Sequence, residues 1–117
     1  MNHLNSVLIE GNLIADPIQE NFRMGKTRVQ FTIESIRYVN LNDEKKAEVS
    51  RFEIEVWNKT AELCVKTLKE GSGVRVVGRM KRITWHEDEK IRSKIVIVGD
   101  TVEIKTKWDK KPSEVQP

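Results

Sequence analysis

Apolar and polar residues alternate with period two over most of the chain, the pattern of strands with one buried face. In the first such segment, about residues 4–14, Val7, Ile9 and Gly11 share one side. Asp16-Pro17 then reads as a turn, and residues 18–26 close on another turn at Met24-Gly25-Lys26. A second strand is expected over about 27–38, where Val29, Phe31 and Ile33 alternate with Arg28, Gln30 and Thr32. Residues 40–48 are too charged for a core and read as a polar connection. A third strand, about 49–58, is expected to bury Phe52, Ile54 and Val56 and to turn Arg51, Glu53, Glu55 and Trp57 outward.

The period changes once. Ala61, Cys64, Val65 and Leu68 recur at helical spacing within 60–69, with Thr60 or Asn58 as a cap and Gly71 as a stop. Alternation returns in a fourth strand at about 74–85, a charged hairpin tip at about 86–90 and a fifth strand at about 91–104. Three strands, a short helix and two strands is the order of an all-β, five-stranded OB-fold Greek-key barrel, whose second and third strands and flanking loops bind oligonucleotides. Other small barrels share that order. The expected division is one OB-fold domain over residues 1–104 and a disordered basic tail over 105–117, where two prolines and four lysines occur without periodicity.

At 117 residues, 38% hydrophobic and 33% charged, the chain has the size and composition of one globular domain. Its longest apolar run, Ile95-Val96-Ile97-Val98, is far short of a membrane span. Nothing at the start has the pattern of a secretory signal, and the single cysteine, Cys64, suits a reducing compartment, so a cytoplasmic protein is expected. The net charge of +3 matters less than its distribution. Residues 1–104 carry 17 basic and 16 acidic side chains, whereas 74–94 carry seven basic and three acidic ones, the latter consecutive at Glu87-Asp88-Glu89. A local basic stripe is the electrostatic footprint of a polyanion partner.

In the fourth strand, alternation sends Val74, Val76, Gly78 and Met80 inward and puts Arg75, Val77, Arg79, Lys81, Ile83 and Trp85 on the other face. Arg92 and Lys94 share a face of the fifth strand. Trp57 and Trp85 thus stand at non-core positions among cations. Indole rings left outside a core suit base stacking, which tolerates any sequence, while neighbouring cations track phosphates. Burial under a loop or in a subunit contact would also account for such rings.

Ordered motifs resemble those of the bacterial single-stranded DNA-binding protein family. They are Asn5 to Leu13 followed by Asp16-Pro17, then Glu55-Val56-Trp57-Asn58-Lys59-Thr60-Ala61-Glu62, then Leu68 to Arg79, and Trp85 downstream. The resemblance covers about residues 3–104. It implies an OB fold, a homotetramer and sequence-independent wrapping of single-stranded DNA, with four aromatic stacking positions per subunit. Trp57 and Trp85 keep two of them. A third falls near Val39, with Tyr38 beside it as a substitute, and the fourth falls at Arg51, whose guanidinium still stacks on bases and pairs with phosphate. Lys59 matches a basic position of the family, and Glu70 stands where many members have lysine. Glu53 and Glu55 would lie on the DNA face, paired with Arg75 or Arg79. The ending, Lys110 to Pro117, lacks the acidic tip through which family members recruit replication and repair proteins, which leaves those partners open here. Trp108, in the tail, is expected to be free.

No cofactor, metal site or catalytic constellation is expected. His86 with its acidic neighbours reads as a solvated turn, Cys64 as helix packing, and Glu53 with Glu55 as charge pairing rather than an acid–base couple. The DNA-binding residues expected are Trp57, Trp85, Arg51, Tyr38, Lys59, Arg75, Arg79, Lys81, Arg92 and Lys94. The competing functions are an RNA-binding OB module and an assembly or adaptor protein with reduced DNA affinity.

Overall fold

The alternating segments form strands longer than the apolar pattern marks. The computed structural model describes residues 1–105, in the order β1 (Val7–Leu13), β2 (Ile18–Asn21), a 3-10 turn (Arg23–Gly25), β3 (Thr27–Leu41), β4 (Glu44–Trp57), α1 (Asn58–Thr67), β5 (Gly73–Glu87) and β6 (Lys90–Lys105). The expected tail, apart from Lys105, and Trp108 within it lie outside the described residues. The strands run in the order β1-β5-β6-β4-β3-β2, and a further β1–β3 pairing closes five of them into a barrel. The pairings are antiparallel except β4 with β6, which run parallel through Ile54↔Ile97 and Glu55↔Val98. This is the OB-fold barrel anticipated from the strand order.

The expected polar connection at 40–48 is instead strand. β3 and β4 continue past the barrel as a paired arm to Leu41↔Glu44. The two residues between, Asn42 and Asp43, both have positive φ (52° and 64°), the conformation of a two-residue turn matched to strand twist. An arm solvated on both faces has no reason to alternate, which is why its charge concealed it. The β5–β6 arm ends the same way, at Asp88 and Glu89 (φ 50° and 65°), close to the anticipated tip. β2 was not anticipated either. All four of its residues are exposed, and it is held by ladder bonds to β3.

Leu13, Val29, Phe31, Ile33, Ile54, Val56, Val74, Val76, Ile97 and Val102 fill the barrel. α1 plugs one end with Ala61, Cys64 and Leu68. It begins two residues before the expected start, and Val65 is exposed rather than packed. Neither candidate cap acts as one. The cap position is Trp57, without a side-chain bond, and the Asn58 Oδ1 accepts from the Thr27 N–H at 3.2 Å, tying the helix start to β3. The helix stops at Thr67, before Gly71, with the Leu68 N–H donating to the Cys64 carbonyl at 2.9 Å. Gly71 serves the return to β1, its N–H donating to the Leu13 carbonyl at 2.8 Å.

Two glycines permit the barrel to close. A Cβ on Gly11 would lie 2.6 Å from the Glu34 carbonyl oxygen where β1 crosses β3, and one on Gly78 would lie 1.9 Å from the Val98 oxygen. Gly78 sits at an irregularity of the β5–β6 register, beside Val77. Beyond it the inward parity leads out of the core. Met80, expected inside, is half exposed at the rim of an apolar cleft of about 490 Å³ between β1, β4, β5 and β6. Phe52 is only partly buried, packed against the core rather than within it.

Candidate nucleic-acid interface

The outer face of β4, β6 and β5 gathers most of the anticipated residues. Along β4 it carries Arg51, Glu53, Glu55 and Trp57. The β4–β6 and β5–β6 registers set Arg92, Lys94, Val96 and Val98 beside them, and Arg79, Lys81, Ile83 and Trp85 beyond. Val96 and Val98 are buried on this outer side, outside the core cluster, so the side chains around them form a packed layer.

Glu55 lies at the centre of that layer. It was expected outward and paired with Arg75 or Arg79. Its strand face is as expected, but it is 1% exposed, and its neighbours are others. One carboxylate oxygen, Oε2, accepts from the Trp57 indole N–H at 2.9 Å and faces Lys81 Nζ at 3.7 Å. The other, Oε1, faces Arg28 Nη1 at 3.8 Å and is buried without a hydrogen bond. A buried carboxylate persists where cations flank it, and two do here. Glu53 likewise pairs with Lys94 Nζ at 3.0 Å rather than with Arg75 or Arg79.

The face has two aromatic ends. At one, Trp57 packs against Phe22, with ring centroids 5.7 Å apart and planes tilted by 34°. The Arg28 guanidinium lies 5.1 Å from the Phe22 centroid and 5.8 Å from that of Trp57, within cation–π range. At the other end, Trp85 stands on the β5–β6 arm opposite Arg92, 37% exposed, with Lys94 Nζ 5.9 Å from its ring centroid. Its indole N–H donates to Glu87 at 3.0 Å. The rest of the set is spread more widely. Arg51 pairs with Glu34 at 3.2 Å, and Arg79 with Asp100 at 3.5 Å. Tyr38 shares the strand parity of Trp57 but borders a cleft against β1, its ring 4.9 Å from Lys45 Nζ. Lys59 is exposed in the first turn of α1. Arg75 is drawn away, onto β1: its guanidinium pairs with Glu10 at 2.6 Å and with Glu103 at 3.8 Å. The Arg75 hydrogen bond, more than any other influence, holds the Glu10 carboxyl below the usual carboxylate range.

Two residues of the face escaped the sequence reading, Phe22 and Arg28. Phe22 sits in a turn, where periodicity has nothing to report. The usable signal was composition: an aromatic directly before Arg23-Met24-Gly25-Lys26, a turn with a cation on each side of its centre. Cys64 is as anticipated, buried in α1, with its thiol pushed up to about 11 by loss of solvation. Among the described residues no cluster of three or more metal-ligating side chains occurs, and no helix is long and apolar enough to cross a membrane.

A five-stranded barrel of this topology is an OB fold, and tryptophans interleaved with cations on one outer face are the kind of surface on which such folds stack bases. Residues 4–105 match the model of the single-strand binding protein family, and the chain belongs to that family. It is 36% identical over 87 residues to single-stranded DNA-binding protein 2 of Chlorobaculum tepidum, covering 73% of this chain and 59% of that one. It is 33% identical over 103 residues to single-stranded DNA-binding protein 1 of Clostridium acetobutylicum, covering 86% and 92%. The chain thus spans about three fifths of the length of the Chlorobaculum relative. Two solved structures share the fold at 18% identity. One is a Plasmodium falciparum SSB complex with ssDNA (TM-score 0.78, covering 89% of this chain and 95% of that one). The other is a deletion mutant of the single-stranded DNA binding protein from Thermus aquaticus (TM-score 0.77, covering 86% and 50%).

Proposed function

We propose that the protein binds single-stranded DNA without sequence preference and without catalysis, protecting it during replication, recombination and repair. The observation that carries this reading is the shared outer face of Trp57 and Trp85, with Lys81, Lys94, Arg79 and Arg92 between and beside the two rings. Bases stack on the rings, and phosphates exchange with the carboxylates that now hold the cations. Family membership and the names of the relatives support the same ligand. The reading includes a homotetramer whose subunits each contribute residues 1–104 as the binding domain, acting at the nucleoid in the cytoplasm.

The test is a titration of tryptophan fluorescence with oligo(dT) at low and high salt. Deep quenching that saturates at a defined number of nucleotides and weakens with salt is the expected outcome. Absence of quenching at low salt would reject it and favour an assembly role. One observation speaks for that second reading: Arg51, Arg79, Lys81 and Lys94 are all paired to carboxylates of the same chain.

A further inference from the structure

We propose, on the reading that this face takes single-stranded DNA, that Phe22 is a base-stacking ring in its own right, which extends the contact path past Trp57 to the turn between β2 and β3. Core packing does not account for Phe22. It follows β2, a strand with no buried residue, and its side chain is 40% exposed. Nor is the turn loose. The Phe22 N–H donates to the Lys26 carbonyl at 2.7 Å across the turn, and the Asn58 side chain grips the Thr27 N–H at the next position. The ring is therefore displayed on a fixed support, and fixed aromatic surface stacks with little loss of side-chain freedom.

The geometry with Trp57 sets how it would be used. Rings with centroids 5.7 Å apart and planes tilted by 34° leave too little room for a base between them. Each ring keeps an outer surface, so the pair offers neighbouring places to consecutive bases rather than one slot. Arg28 lies against both rings and is bonded to Glu20 at the far side. Its Nε–H is buried with no acceptor, an uncommon state for a buried donor. A phosphate or base oxygen that draws the guanidinium outward would relieve it. Arg23 and Lys26, both exposed in the same turn, add charge for the backbone of such a nucleotide.

The alternative role for Phe22 is an apolar cover for Trp57, and the choice of substitutions separates the two. Binding of labelled oligo(dT) to the full chain is measured by anisotropy for the parent, Phe22→Ala, Phe22→Leu and Phe22→Trp, with circular dichroism as the check on folding. A stacking ring predicts that Ala and Leu both weaken binding, on the order of 5- to 100-fold. Phe22→Trp should keep the parent affinity and deepen the fluorescence quenching, because another indole is covered. Leucine shields Trp57 but has no π face, so Phe22→Leu at parent affinity overturns the proposal while the DNA-binding reading stands. A parent chain that fails to bind oligo(dT) overturns both.

Discussion

Trp57 donates its indole N–H to Glu55, two residues back on the same strand face, at 2.9 Å. The bond fixes the ring but puts a carboxylate beneath a surface proposed for a polyanion. Arg28 and Lys81, at 3.8 and 3.7 Å, offset that charge and are themselves occupied by it. Glu55→Gln should separate the two effects. Its amide oxygen still accepts from the indole, while its lost charge releases both cations to phosphate. We expect tighter binding at low salt and a steeper dependence of log Kd on log salt, by roughly 0.7 per cation released. Parallel salt titrations of parent and variant read the slope. An identical slope would mean that Arg28 and Lys81 do not reach the DNA.

The two tryptophans should part company in stability though not in binding. Trp57→Ala and Trp85→Ala are each expected to weaken oligo(dT) binding by about 1–3 kcal/mol. Trp57 also carries the Phe22 and Arg28 contacts and satisfies a buried carboxylate oxygen. Its removal should cost about 2 kcal/mol of folding stability or more. Trp85 projects on an arm beyond the barrel, and its removal should change stability by no more than about 0.5 kcal/mol. Urea unfolding of the three proteins decides this. Equal destabilisation by both variants would contradict the packing described for Trp57.

Gly78 is the residue whose side chain the fold can least accommodate. A Cβ there would meet the backbone oxygen of Val98 at 1.9 Å, and backbone in a ladder cannot give way as a side-chain tip does. Gly78→Ala should therefore cost at least about 3 kcal/mol, the upper range of overpacking, or prevent folding. Gly25→Ala is the control. Its φ is +74°, but its Cβ would meet nothing within 4 Å, so its cost is the conformational one of about 1 kcal/mol. Urea midpoints that fall equally in both variants would refute the close approach at Gly78.

The barrel was legible most clearly where a strand is buried on one side only. Val29, Phe31 and Ile33 alternate with polar residues and are all buried. Where that condition fails, so does the reading. The arm at 40–48 and β2 are solvated on both faces, and hydrogen bonds alone define them. Met80 has inward parity but lies past the end of the core. Glu55 shows the opposite limit: parity assigned its face correctly, but burial there depends on side chains from β3 and β5 that close over it. Trp57, Trp85, Lys81 and Lys94 were legible as a face. Their individual ion pairs were not, because pairing follows from the parallel β4–β6 register, and local spacing says nothing about which strands meet.

Glu10 and Arg75 form a charge pair away from the aromatic face, and pH should expose its contribution to stability. The Arg75 Nε–H donates to Glu10 Oε2 at 2.8 Å, and Lys105 Nζ lies 3.5 Å from the same oxygen. The Arg75 hydrogen bond and these positive charges hold the Glu10 carboxyl below its ordinary value of 4.5, against a smaller opposing effect of burial. A carboxyl with a lowered value in the folded state stabilises that state fully above its unfolded value, and the gain disappears as pH falls through the folded one. Glu10→Gln should therefore be less stable than the parent at neutral pH. The gap should begin to close below about pH 4.5 and vanish in stronger acid. Because both partners are substantially exposed, added salt should shrink the gap at neutral pH as well. Urea midpoints of parent and Glu10→Gln between pH 7 and pH 3 give the result directly. A gap that stayed constant with pH would mean that the variant acts through packing and that the ion pair contributes nothing. Oligo(dT) affinity at neutral pH should be the same for both proteins, since Arg75 faces β1 and not the surface between Trp57 and Trp85.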